Sequence, residues 1–307
     1  MSKPEKEVAK RRNPWIGPVL VAILIVAMLG VVWTITSLLP ILMGYKAEDT
    51  RSYSGIVAHD MVYAEVENFN GPIQIASWDN AEYQIDLKIE ASGSSQENAE
   101  DNLDALIVNF DESVVKDQKR LILNYDVPVQ VKSNISVEVN VILPFNTTID
   151  LNLISSNGDI HLTNLEVGTL DVVTSNGRLV FENVYADSLI GETSNGRIEG
   201  DLEADEAVLS TSNGDIEFTI PCTISGEYDL STSNGAIELA VSSSVQVGYD
   251  LDLATSNGNI TINLSDLDYT QNENTKKVAK TDGFDDKATQ ITIEASTSNG
   301  DIDIHTS

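Results

Sequence analysis

The sequence predicts an all-β protein: a β-solenoid of Thr-Ser-Asn-Gly repeats, preceded by a β-rich segment with one helix, on a single N-terminal transmembrane helix. Three observations carry this. A Ser-Asn-Gly-x-Ile/Leu motif recurs seven times, apolar and polar residues alternate on both sides of it, and residues 16–39 form a 24-residue run without a charge.

The repeat comes first because it is the most specific signal. Its corners are Asn157-Gly158, Asn176-Gly177, Asn195-Gly196, Asn213-Gly214, Asn234-Gly235, Asn257-Gly258 and Asn299-Gly300. Successive asparagines are 19, 19, 18, 21, 23 and 42 residues apart, and the last gap equals about two periods. A period near 20 marks stacked repeats. At about 4.8 Å per rung, seven rungs make a rod on the order of 35 Å long.

Each position in the repeat has a role. Residues four and six before the asparagine are mostly apolar, as in Leu151 and Leu153 or Tyr228 and Leu230. Residues three and five after it are apolar again, as in Ile160 and Leu162 or Ile302 and Ile304, with a residue between them that is usually polar, such as Glu199, Glu217, Glu238 or Asp303. Inward-facing parity therefore resets at Asn-Gly, which makes it a corner. Glycine accepts positive φ there, and asparagine tolerates it. The Thr or Ser two residues earlier points inward, where its hydroxyl can bond the turn. Stacked corners would align the asparagines in a hydrogen-bonded ladder. Asn-Gly is also the favoured two-residue hairpin turn, so solenoid corners and an array of hairpins both remain open. The near-constant spacing favours the solenoid.

Ahead of the repeats, a polar juxtamembrane linker is expected over 40–58 and a β-rich segment over 59–150. Alternation is clear at Tyr63–Ala76, on both sides of Asn70-Gly71, and at Tyr83–Glu90. A helix is expected at about 95–110: Ser94 and Glu97 form a capping-box pattern, and Ala99, Leu103, Leu106, Ile107 and Phe110 make one apolar stripe. Within the repeats, a polar insert at 265–290 carries Lys276, Lys277 and Lys280, a rare basic cluster. It reads as a bulge shielding a solenoid edge or as a functional loop. The final rung lacks an obvious cap, which makes it a candidate edge for self-association.

The uncharged run is long enough to cross a bilayer. Lys3, Lys6, Lys10, Arg11 and Arg12 precede it, predicting a cytoplasmic tail over 1–15 and an extracytoplasmic C-terminal domain. A cleaved signal peptide would be shorter and would end in small residues, unlike Leu42-Met43-Gly44. Asn134, Asn146, Asn259 and Asn263 begin Asn-x-Ser/Thr tripeptides and are candidate glycosylation sites on that side.

Composition narrows the function. The formal charge is -30, and an acidic surface repels nucleic acid and anionic lipid headgroups. The single cysteine, Cys222, allows no intramolecular disulfide and no thiolate metal cluster. His59, His161 and His305 are too scattered in the repeat frame for a shared metal site. No Ser/His/Asp grouping, P-loop or dinucleotide fingerprint is present, so no catalytic, cofactor or metal residues are assigned. Asp159, Asp215, Asp301 and Asp303 follow corners as calcium or polysaccharide-lyase carboxylates would. Arg178, Arg197, Ala236 and Asn259 interrupt that row in the other rungs.

An Asn-Gly-x-Ile segment, Trp78-Asp79, an acidic helix, a strand ending Leu143-Pro144 and serial Thr-Ser-Asn-Gly repeats together resemble the DUF4097 family over about 59–307. The resemblance implies a right-handed, β-helix-like solenoid at a cell surface and an adhesin-like role, in some members tied to envelope stress. It supplies no catalytic residues. The expectation is therefore a non-catalytic, surface-displayed binding or scaffold module with a protein or glycan ligand. An envelope-stress sensor acting through a cytoplasmic partner is the alternative, and a glycan-cleaving β-helix enzyme is a remoter one.

Overall fold

A computed structural model of the chain describes residues 44–307. The expected cytoplasmic tail and transmembrane helix lie outside the described residues. Among the described residues, no helix is long and apolar enough to cross a membrane.

The fold is all-β with one α-helix among the described residues. Its first part comprises β1 (Tyr45–Ile56), β2 (Met61–Asn68), β3 (Ile73–Trp78), β4 (Glu82–Gly93), α1 (Gln96–Asp104), β5 (Ile107–Val115), β6 (Gln118–Asp126) and β7 (Ile135–Pro144). The repeats follow as β8 (Thr148–Ser155), β9 (Ile160–Thr174), β10 (Leu179–Thr193), β11 (Ile198–Thr211), β12 (Ile216–Ile220), β13 (Gly226–Thr232) and β14 (Ile237–Val241). The last elements are β15 (Val247–Thr255), β16 (Ile260–Asn263), β17 (Leu267–Asn272), β18 (Lys276–Thr281), β19 (Thr289–Thr297) and β20 (Ile302–Thr306).

Parallel pairing decides between solenoid corners and hairpins. Hairpins would pair the two strands flanking each corner antiparallel. Instead β9, β10 and β11 pair parallel and in register with the equivalent strand of the next tier. The alternating pattern then lines up from tier to tier. Ile160, Leu179, Ile198, Ile216, Ile237, Ile302 and Ile260 lie over one another in one column, none more than 5% exposed. Each such burial is worth roughly 1.5–3 kcal/mol, so the column is a major source of stability. The result is an open, solenoid-like stack.

The stack begins before the seven motifs. β2 pairs parallel with β8 and β3 with β9, so Asn70-Gly71 is a corner of the same column. β6 and β7 form a further parallel tier beneath β2 and β3. Antiparallel strands close that end, with β4 on β7, β1 on β4 and β5 on β6. Residues 45–56, expected as linker, are thus a full edge strand. Only Ala47 on it is buried, so it carries little of the apolar alternation by which strands are read.

The helix is shorter than its stripe suggests. Ser95, not Ser94, caps it by accepting from the Asn98 amide. It ends at Asp104, and Ile107 and Phe110 belong to β5. Phe110 packs against Tyr53 of β1 with ring centroids 4.5 Å apart. Pairing of β5 with β6 and the ring contact with the distant Tyr53 override the helical spacing.

The order of the tiers departs from the order of the chain. β19 pairs parallel with both β13 and β15, and β20 with both β14 and β16. The final repeat is therefore an inner tier, between the Asn234 and Asn257 corners, and is not the edge expected for self-association. The polar insert supplies β17 and β18, of which β18 pairs antiparallel with β15 and β17 with β18. Lys276 and Lys280 there form ion pairs with Asp252 and Asp250 of β15.

Candidate binding groove

The Asn-Gly corners form one continuous column. Asn176 donates its side-chain amide to the Asn157 side-chain oxygen at 2.8 Å, and Asn195 to Asn176 at 2.8 Å. Asn213, Asn234 and Asn299 continue the ladder at 2.9 Å each, and Asn257 ends it at 3.0 Å. The residue two before each asparagine is buried beneath it. Thr193 accepts from the Gly196 amide at 3.1 Å and donates to the Gly177 carbonyl of the preceding tier at 2.9 Å.

Glycine is needed at these corners for a different reason from the one expected. Among the described residues, positive-φ glycines are Gly44, Gly71, Gly200 and Gly283, none of them in the seven motifs. A Cβ on any motif glycine would instead lie 1.7–2.0 Å from the carbonyl oxygen of the glycine stacked beneath it. The constraint is close backbone approach between tiers.

The post-corner aspartates are also structural. Asp159, Asp215 and Asp301 accept from the backbone amides of Arg178, Ala236 and Asn259 in the adjoining tier. Burial pushes the Asp159 carboxyl up, but hydrogen bonds from the Arg178 backbone and guanidinium outweigh it and hold the pKa below its usual value. An acidic row does form two residues further on, where Glu199, Glu217, Glu238 and Asp303 are in register. Arg197 pairs with Glu217 at 2.8 Å, while Glu238 and Asp303 have no ion-pair partner among the described residues. No group of three or more His, Cys, Asp or Glu is placed to hold a metal ion among the described residues. His59 sits against Asp117 at 2.8 Å, and Cys222 is 5% exposed. Asn134, Asn146, Asn259 and Asn263 are all exposed.

A second corner lies on β9 and β10. Asn164 and Asn183 adopt positive φ, 53° and 54°, and Asn183 donates to the Asn164 side chain at 2.9 Å. Ser77 donates to the Asn164 carbonyl, which ties the end of β3 to this corner.

Beside it runs a groove of about 660 Å³. Leu165, Val184 and Leu202, each no more than 3% exposed, lie along it in successive tiers. Trp78 and Phe145 stand at one end, at the termini of the paired strands β3 and β7. The Phe145 amide donates to the Trp78 carbonyl at 3.1 Å, and the Trp78 indole donates to the Glu82 carbonyl at 2.7 Å. Both aromatics are thereby anchored through backbone groups. Phe145 is 50% exposed, an unusual position for a phenylalanine.

Tyr185 lines the middle, in register with Glu166 on β9 and Glu203 on β11. Its hydroxyl donates to Asp187 at 3.0 Å. Desolvation, that hydrogen bond and the negative field of Asp205, Asp187 and Glu166 push its pKa up to about 12. Glu203 is committed to Thr223, accepting from its hydroxyl at 2.7 Å. The Asp79, Glu166 and Asp201 carboxylates belong to exposed residues and make no hydrogen bond or ion pair among the described residues. None of the residues lining the groove is basic.

Sequence reasoning passed over this face. Asn164 and Asn183 repeat at the same 19-residue interval as the main corners and could have marked a second turn. Trp78 and Phe145 come together only through β3–β7 pairing.

A parallel stack with an exposed asparagine ladder along its corners, capped by antiparallel strands at both ends, defines a β-repeat protein of solenoid-like type. The chain belongs to the Toastrack DUF4097 family, whose model matches residues 124–305. No curated protein matches it. Similar solved structures include a candidate adhesin from Bacteroides fragilis, 15% identical, covering 84% of this chain and 97% of that one, with a TM-score of 0.41. A candidate cell adhesion protein from Clostridium sporogenes is 11% identical over 84% of this chain and 100% of its own, TM-score 0.38. A candidate lipid-binding protein from Parabacteroides distasonis is 12% identical over 85% and 98%, TM-score 0.40.

Proposed function

We propose that this chain is a membrane-anchored, surface-displayed binding or scaffold module of the cell envelope, adhesin-like and without chemistry of its own. The observation that carries the binding role is the aromatic-lined groove of about 660 Å³, set on tiers locked together by hydrogen bonds. Rigid scaffolds with exposed aromatic rings suit recognition, because little side-chain entropy is lost on contact. Anchoring rests on the uncharged run at 16–39 and the basic residues before it. In this reading the solenoid is right-handed, as parallel crossovers favour.

The test uses the full chain with a C-terminal epitope, expressed in bacterial cells. The expected result is membrane fractionation, loss of the epitope when intact cells are treated with protease, and retention of the purified chain on envelope material. An epitope protected in intact cells overturns the surface placement. A chain that retains no envelope component overturns the binding role.

A further inference from the structure

We propose that the groove beside the second corner binds an extended cationic peptide segment, taking its Lys and Arg side chains between aromatic rings and uncommitted carboxylates. This deepens the binding role above and rests on it, but not on the membrane anchor.

The lining favours a cation over other ligands. Most donors are already used: Asn183 donates to the Asn164 side chain, Ser77 to the Asn164 carbonyl, Trp78 to the Glu82 carbonyl and Tyr185 to Asp187, which leaves the Asn164 side-chain amide. The uncommitted charged groups are the Asp79, Glu166 and Asp201 carboxylates, all of them acceptors. A neutral glycan needs donors as well as acceptors, whereas ammonium and guanidinium groups offer donors alone. Trp78, Phe145 and Tyr185 supply ring faces, which attract the same cations.

Dimensions agree with an extended chain. The groove passes β3, β9, β10 and β11, three tier spacings, or roughly 14 Å at about 4.8 Å each. An extended peptide covers that span with about four residues. The Glu166 and Asp201 tiers are two spacings apart, about 10 Å, so two basic side chains can be taken at once. Anionic ligands are repelled along the whole length, and the chain's charge of -30 draws basic segments toward it.

General acidity alone would also attract basic peptides, so the test must separate the groove from the rest of the surface. The full chain in neutral-lipid nanodiscs is titrated with fluorescent hexa-arginine and with the neutral glycan hexa-N-acetylchitohexaose at 150 mM salt. Two variants remove equal charge: Glu166→Gln with Asp201→Asn in the groove, and Glu238→Gln with Asp303→Asn on the carboxylate row. Phe145→Ala tests the ring contact. We expect hexa-arginine binding that falls about tenfold in the groove variant, about threefold in the Phe145 variant and less than twofold in the row variant. Equal losses in the two charge variants overturn the groove, since binding then follows net charge. Hexa-N-acetylchitohexaose binding without hexa-arginine binding overturns the cationic class and leaves the binding role standing. Binding of neither probe, while the chain still retains envelope material, also overturns the cationic class.

Discussion

Asn257 donates its side-chain amide to the Asn299 side chain at 3.0 Å and lies outside it in the stack, although it precedes it by 42 residues. Asn299 in turn donates to Asn234 at 2.9 Å. The last repeat of the chain thus bridges two tiers that come before it in sequence. The stack beyond Asn234 is continuous only through it.

Deleting residues 289–307 should therefore unfold far more than one repeat. Ile291, Ile293, Ile302 and Ile304 are each 0% exposed, and losing their burial removes about 6–12 kcal/mol. The end formed by β15 to β18 also loses its seat. Thermal unfolding and limited proteolysis should show cleavage within 242–281 as well as a large drop in Tm. A truncated chain protected across that region would refute the bridging role.

Gly196→Ala should destabilise the protein by about 3 kcal/mol or more, because its Cβ would sit 1.7 Å from the Gly177 carbonyl oxygen. Gly283→Ala is the informative comparison. Gly283 has φ 64° but open space around it, so the cost there should be only about 1–2 kcal/mol. Urea unfolding of both variants gives the ranking. Similar losses would mean that backbone conformation, and not tier spacing, governs the corners.

Acid should weaken the end of the stack around Glu112. The hydrogen bond from Lys119, then that from Tyr83 at 2.6 Å, hold the Glu112 carboxyl below its ordinary value against the effect of burial. A carboxyl whose pKa is lower folded than unfolded adds stability above the unfolded value, about 4.3, and loses it as pH falls through the folded one. Glu112→Gln should lower Tm at pH 7, and the difference from wild type should close below about pH 4. A gap that stays constant between pH 7 and pH 3 would assign the loss to something other than the charge.

Charge removal should have the opposite sign on the carboxylate row. Glu238 and Asp303 face each other in register on parallel strands without a basic partner among the described residues. Like charges in that position destabilise by roughly 0.2–1 kcal/mol. Glu238→Gln should raise stability by that amount at low salt and by less at 1 M salt, where the charges are screened. Loss of stability at both ionic strengths would show that Glu238 accepts a structurally needed contact.

Much of the stack was legible beforehand because its signals are local. Thr193 reads as inward-facing from parity alone, and its buried hydroxyl does bond the turn of its own tier and the one below. The asparagine ladder follows from stacking identical corners. The sequence pattern extends the helix too far because Ile107 and Phe110 continue its apolar stripe. Both lie on β5, which is decided by pairing with β6 and by packing on Tyr53, neither of which helical spacing can reveal. The groove escaped notice for the same reason: Trp78 and Phe145 are 67 residues apart and meet only through β3–β7 pairing.

By itself the sequence determined the corner chemistry, the inward and outward faces and the all-β class. Each of these depends on residues within a few positions of one another. The tertiary structure alone decided the order of the tiers, the closure of both ends and the groove. The repeats share nearly the same corner, so any tier can stack on any other as far as Thr-Ser-Asn-Gly is concerned. Which one does depends on connector length and end-capping strands, and both act across the whole stack.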